Sequence, residues 1–160
     1  MQKGVDLPSP RFTDNSDGTV TDNLTGLIWL KNANCANATK NWSDALTFAN
    51  TLFDGSTSHN SGDCGLSDNS SAGDWRLPNR FELKSLINLG YFNPALSNTA
   101  GTAKWTEENP FTGVQSNSYW SSSTVSSNAA FGWNVHLNYG NVDVSFKTNS
   151  FFVWPVRGGQ

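Results

Sequence analysis

Asp74-Trp75-Arg76-Leu77-Pro78-Asn79-Arg80-Phe81-Glu82-Leu83, or DWRLPNRFEL, interrupts a chain that otherwise reads largely as strands and turns. Asn79 follows Pro78 and precedes Glu82 by three residues, the spacing of a capping box with Asn in the place of Ser or Thr. A helix is expected over Asn79–Ile87, and capping with an internal ion pair accounts for Asp74, Arg76 and Glu82 without a catalytic role. Upstream, Trp42, Ala45, Leu46, Ala49 and Leu52 form one stripe at helical spacing, so Asn41–Leu52 is a second helix, capped by Asn41 or Ser43. Residues 54–74 between them are rich in Ser, Asn, Gly and Asp, and carry too little apolar surface for regular structure. His59 falls in that stretch and is expected in solvent.

Strands flank the two helices. In Thr13-Asp14-Asn15-Ser16-Asp17-Gly18-Thr19-Val20-Thr21-Asp22 the acids crowd a glycine as in a calcium loop. Setting Gly18 at position 6 of an EF-hand loop puts Thr13, Asn15 and Asp17 in ligand slots but Leu24 where a bidentate Glu belongs. A similar turn recurs at Asp22-Asn23-Leu24-Thr25-Gly26, with extended runs Thr19–Thr21 and Leu27–Leu30 around it. The stretch therefore reads as hairpin corners, where Asn, Asp and Gly supply local hydrogen bonds and positive φ. Near the other end, Trp133–Asn138 and Val142–Lys147 alternate apolar and polar around Tyr139-Gly140-Asn141. One face would be Trp133, Val135, Leu137, Val142, Val144 and Phe146, expected in the core. The other would be Asn134, His136, Asn138, Asp143, Ser145 and Lys147, expected in solvent. Phe151–Arg157 reads as a last strand. Strands, two helices, then strands give an α+β class with helices packed on antiparallel sheet.

At 160 residues the chain is read as a single domain, 1–160. Seven Trp and ten Phe furnish a core that the aliphatic residues alone would leave thin. A net charge of −3 with no Lys/Arg cluster argues against nucleic acid as a partner. No apolar run is long enough for membrane insertion. Cys35 and Cys64 sit in polar, loop-like sequence with no metal-ligand spacing, as a disulfide or as two free thiols. An even count in a Ser/Asn-rich, Lys-poor chain favours the disulfide and an exported protein. No signal peptide opens at Met1-Gln2-Lys3-Gly4, so this expectation assigns the leader or anchor to sequence upstream.

Several motifs occur in order: Arg11-Phe12-Thr13-Asp14-Asn15, Asp17–Asp22, Thr25-Gly26-Leu27-Ile28-Trp29, Trp42 with Ala45-Leu46, Asp74–Asn79 with Glu82-Leu83, Tyr119-Trp120-Ser121-Ser122-Ser123, Trp133 with Val135, and Val156-Arg157-Gly158-Gly159. Over residues 10–159 the chain resembles the family named after the C-terminal domain of the Legionella collagen-like adhesin. The resemblance implies a C-type-lectin-like fold, with two helices, a looped middle and small sheets closed by the last strand. It also implies secreted or surface-anchored bacterial proteins, some of which bind glycans or host surfaces. Cys35 and Cys64 fall where one branch of the family carries a cysteine pair. The chain departs from the family at Trp154, where Arg is common, and its acidic balance does not suit a reader of sulfated glycans. The tail from Tyr119 to Arg157 is also similar to the variable region of retroelement-diversified proteins, whose polar residues interleave with a fixed apolar scaffold.

No enzyme is expected. His136 is the one histidine in regular structure and alternation turns it from the core. Ser121, Ser122 and Ser123 lack a nucleophile-elbow context, and the adjacent Glu107 and Glu108 diverge on an extended segment. No cofactor and no metal are expected. The expected function is a non-catalytic binding module, secreted, periplasmic or on the cell surface, with an unidentified glycan or protein ligand. Its ligand-binding residues are expected to be Asn134, His136, Asn138, Tyr139, Asn141, Asp143, Ser145, Lys147, Asn149 and Phe151, with Trp105 as an exposed aromatic. A cap that forms a homo-oligomer, in particular a trimer, at the end of a longer surface protein is the alternative.

Overall fold

The computed structural model describes residues 7–56 and 64–158. Three short strands come first, β1 (Phe12–Asp14), β2 (Thr19–Asp22) and β3 (Leu27–Leu30). Helices α1 (Trp42–Asn50) and α2 (Arg80–Ser85) follow, and β4 (Ser118–Thr124), β5 (Phe131–His136), β6 (Asn141–Phe146) and β7 (Val156–Gly158) close the chain. One antiparallel sheet has the order β1-β2-β3-β7 and the other β4-β5-β6. The class is α+β. His59 and Met1 lie outside the described residues.

The acid-and-amide run at Thr13–Asp22 is hairpin chemistry. Ser16 donates its amide to Asp14 Oδ1, and Thr19 donates both amide and hydroxyl to Asp17 Oδ1. Ser16 at φ 62° and Gly18 at φ 84° make the reversal. Burial alone would raise the Asp14 carboxyl, but the Lys31 ammonium bonded to it and the Ser16 amide hold it below its ordinary value. At the next corner Asp22 Oδ1 accepts the Leu24 amide at 2.8 Å and also pairs with Arg11, both side chains being buried. Arg11 continues to the Ser85 carbonyl at 2.9 Å, tying the first sheet to the end of α2.

Both helices begin where the sequence puts them. The Asn41 side chain accepts the Asp44 amide at 2.9 Å, and Ala45, Ala49 and Leu52 of the stripe are buried, with Trp42 and Leu46 at its margin. At α2 Asn79 Oδ1 accepts the Phe81 and Glu82 amides, while Glu82 accepts the Asn79 amide at 2.8 Å. Glu82 also receives both Arg76 Nη atoms at 2.7 Å. Burial pushes the Glu82 carboxyl up; the Arg76 hydrogen bonds, the Asn79 amide and the Arg76 charge outweigh it and leave the group below its ordinary value. Arg76 exchanges two backbone hydrogen bonds with Val156, so the segment that starts α2 also holds β7. The helix itself stops at Ser85, with Leu86 as its cap, two residues short of the expected end.

Among the described residues one cluster of buried side chains runs through both sheets. Trp154 is its hub: its ring lies 5.7 Å from Trp29, 4.9 Å from Phe111 and 5.5 Å from Tyr119, and its Nε1 donates to the Leu30 carbonyl. An arginine there would lose all of these contacts, which accounts for the tryptophan. Burial, opposed by the amide of Gln115, raises the Tyr119 hydroxyl above its ordinary value. Cys35 and Cys64 form a disulfide with Cα atoms 5.2 Å apart, staple the inter-helix segment to the core, and fit an oxidising compartment. No described helix is long and apolar enough to cross a membrane.

Candidate ligand-binding surface

The second sheet carries most of the residues expected to bind. Strand β4 sits against the core through Tyr119 and Trp120, and β5 pairs with it through Ser118–His136, Tyr119–Val135 and Trp120–Asn134. Strand β6 then pairs with β5 without a register break, from Phe131–Phe146 to His136–Asn141. The connecting turn is pressed onto the protein. Gly140 has φ 76°, and a Cβ there would stand 2.4 Å from Ile87 Cγ2. The neighbouring loop is bonded to the same turn, with the Asn93 amide on the Asn138 carbonyl at 2.8 Å and the Ala95 amide on Leu137. A rigid base thus supports a strand that is last in its sheet.

The two faces of the hairpin are not covered as the alternation implied. Asn134 is only 2% exposed, whereas Val144 is 39% and Phe146 55% exposed. The cause lies beside Asn134 on the same face. Gly132 has no side chain, and the Trp42 indole at the start of α1 fills the space, its Cδ1 3.0 Å from where a Cβ would sit. Trp42 donates to the Ser121 carbonyl, and Lys147 Nζ lies 3.7 Å from its ring while donating to Thr124 Oγ1. Asn134 is therefore a packed, bonded residue, its amide on Ser145 Oγ at 3.1 Å. On the opposite face Val135 and Leu137 are buried as expected and Val142 packs on the core, but Val144 and Phe146 stay exposed.

The other expected site residues separate into two groups. Tyr139, Asn141, Asp143 and Asn149 are exposed, with Asp143 Oδ1 accepting the amide of Val144. His136, Asn138, Ser145, Lys147 and Phe151 are half-buried. His136 Nδ1 accepts the Asn138 amide at 3.2 Å, and Phe151 stacks on Trp120 at 4.6 Å, so both help hold the scaffold. Trp105, expected in solvent, is also half-buried: its Nε1 donates to the Phe111 carbonyl at 3.1 Å and its ring packs on the core.

Further groups that the sequence did not single out border this surface, some half-buried and some exposed. Arg80 lies between two rings, 4.7 Å from Phe81 and 4.4 Å from Trp133, and Phe131 meets Phe146 at 4.1 Å. Leu89 and Phe92 are exposed near the Tyr139 turn. Phe81 falls two residues before Leu83 and so off the buried stripe of α2, a signal that was available; Leu89 and Phe92 carry no periodic signal. The arrangement offers backbone and side-chain hydrogen-bond groups beside aromatic and aliphatic surface, which is the chemistry of recognition.

No curated protein gives a sequence match to the chain. The family model described as the Lcl C-terminal domain matches residues 18–157, from the first hairpin turn into β7 and including the whole of the surface just described. With 140 of its 160 residues inside that match (157 − 18 + 1), the chain belongs to the Lcl C-terminal domain family.

Proposed function

We propose that the chain is a non-catalytic binding module of a secreted or surface-displayed bacterial protein, and that it takes a glycan or protein ligand on the open side of the β5–β6 hairpin. Family membership supports a surface adhesin-related module and leaves the ligand open. The observation that carries the placement is β6 itself: Asn141, Asp143, Val144 and Phe146 are all exposed, on a strand whose partner β5 is locked to the core. A stiff support with exchangeable outer side chains lets contacts vary without disturbing the fold. The non-catalytic reading is supported by how the polar groups are engaged. His136 is bonded to its own turn, Glu82 to Arg76, and Glu107 to the Gly113 amide.

The test is capture on a glycan array and on a panel of immobilised proteins, comparing wild type with the triple variant Tyr139→Ala, Asp143→Ala, Phe146→Ala. These side chains are exposed, so each change should cost within about 0.5 kcal/mol of stability while capture falls at least tenfold. Capture by the variant equal to wild type would remove the surface from consideration.

The structural-cap reading draws on a different observation. Exposed Leu7 and Leu24 line one groove with Leu86 and Leu89. Light scattering that returned three copies, lost on Leu24→Lys, would favour it.

A further inference from the structure

The edge of β6 is open, and its sequence is its own complement. In an antiparallel pair every second residue turns its N–H and C=O away from the neighbour. Two bonds identify those residues in β6. The Lys147 amide donates to the Ala130 carbonyl on the β5 side, whereas the Val144 amide is taken by the carboxylate of Asp143. Val142, Val144 and Phe146 therefore carry the outward backbone groups. Apart from the Val144 amide and the Phe146 carbonyl, which accepts the Asn149 amide, those groups have no partner among the described residues. An edge of this kind is a template for another strand.

We propose that β6 pairs antiparallel with β6 of a second copy of this chain, about a two-fold axis through Val144, joining two three-stranded sheets into one. That centre matches outward-facing residues with outward-facing residues: Val144 with the partner's Val144, Val142 with the partner's Phe146, and Phe146 with the partner's Val142. Val144 and Phe146 are the side chains left open on the apolar face, where the half-buried Phe131 and Trp133 continue the surface and Val142 leads back to the core. On the other face Asp143 comes opposite the partner's Ser145 and Asn141 opposite the partner's Lys147, so no like charges are directly opposed. The Asp143 carboxylate moves from the Val144 amide to the serine hydroxyl, freeing that amide for the ladder. The match of apolar to apolar and acid to hydroxyl is what selects a second copy over an unrelated strand.

The test is light scattering with size-exclusion chromatography on the whole chain, from about 1 µM to about 1 mM, because association depends on protomer concentration. Wild type is expected to approach twice the 17.4 kDa chain mass. Val144→Pro removes only an outward N–H and leaves the β5 ladder intact, and proline is tolerated at such edge positions. Val144→Lys puts like charges opposite each other at the axis and leaves the backbone unchanged, which covers the case that the proline variant fails to fold. Both are expected to weaken association by at least about tenfold with an unchanged circular dichroism spectrum. A wild-type monomer throughout the range, a trimer, or a dimer that survives Val144→Lys would overturn the pairing. Ligand capture by a monomeric wild type would remove this inference and leave the proposed function standing.

Discussion

Glu82 and Asn134 show how single polar residues are used for architecture. Glu82 closes the cap of α2 and receives Arg76 through two hydrogen bonds. Its folded value is depressed, so its contribution to stability is fully present above the ordinary carboxylate value of 4.5 and is lost as pH falls through the lower folded value. Thermal melts of wild type should therefore lose stability below about pH 4.5, and Glu82→Gln should show a shallower acid limb. At neutral pH that variant should be less stable by about 0.5–1 kcal/mol, through the lost charge in the partly solvated Arg76 pair, since a glutamine can still accept the Asn79 amide and close the cap. An acid limb identical in the two proteins would assign the pH sensitivity elsewhere. Asn134 is the opposite case to the expectation that it meets ligand. Buried and bonded to Ser145, it should cost about 1–2 kcal/mol when replaced by alanine, measured by chemical denaturation. A stability change near zero would mean that its amide makes no net contribution to the packed face.

Elements differ in how far their sequence discloses their surroundings. The α2 cap was legible because Asn79 and Glu82 satisfy amides within the same turn, and the corners at Gly18 and Gly26 because a short acidic side chain bonds the next backbone group. Such chemistry is local. The hairpin was legible as a hairpin, since alternation reports which residues share a face. It does not report which face is covered, and here Trp42, from a helix some ninety residues earlier, covers the one with Gly132 and Asn134. No spacing within β5 or β6 encodes that visit, and the same limit hid the packing of Trp105. The turn itself is strictly specified, however. Gly140 combines φ 76° with a backbone pressed against Ile87. Gly140→Ala should destabilise by roughly 2–4 kcal/mol, through left-handed strain and overpacking together. Asn141→Ala next to it should stay within about 0.5 kcal/mol, so the contrast isolates the turn. Equal effects at both positions would show that the hairpin tip is not pinned to the segment that follows α2.

At the scale of the whole molecule, the strand–helix–strand order was readable, while the way the ends are closed was not. Phe151–Arg157 is an apolar run without a period, and a run of that kind names no partner. In the structure it serves both sheets: Phe151 bridges to Lys40, Phe152 to Tyr119, and only Val156–Gly158 joins a ladder, beside β3. The disulfide has a comparable long-range role. Cys35 lies between β3 and α1 and Cys64 between α1 and α2, so the bond encloses α1 and part of the stretch 54–74, whose sequence carries few apolar residues. A closed loop with a sequence separation of 29 restricts the unfolded chain by about 3.5 kcal/mol on the chain-entropy relation. For a protein of this size that corresponds to roughly 10 °C in melting temperature. Cys35→Ser with Cys64→Ser should therefore melt about that much lower than wild type, and reductant should lower wild type toward the variant while leaving the variant unmoved. The variant should keep its β5–β6 hairpin, which is held by its ladder to β4 and by Trp42 against Gly132. Loss of ligand capture in the folded variant would instead show that the stapled segment contributes to the binding surface itself.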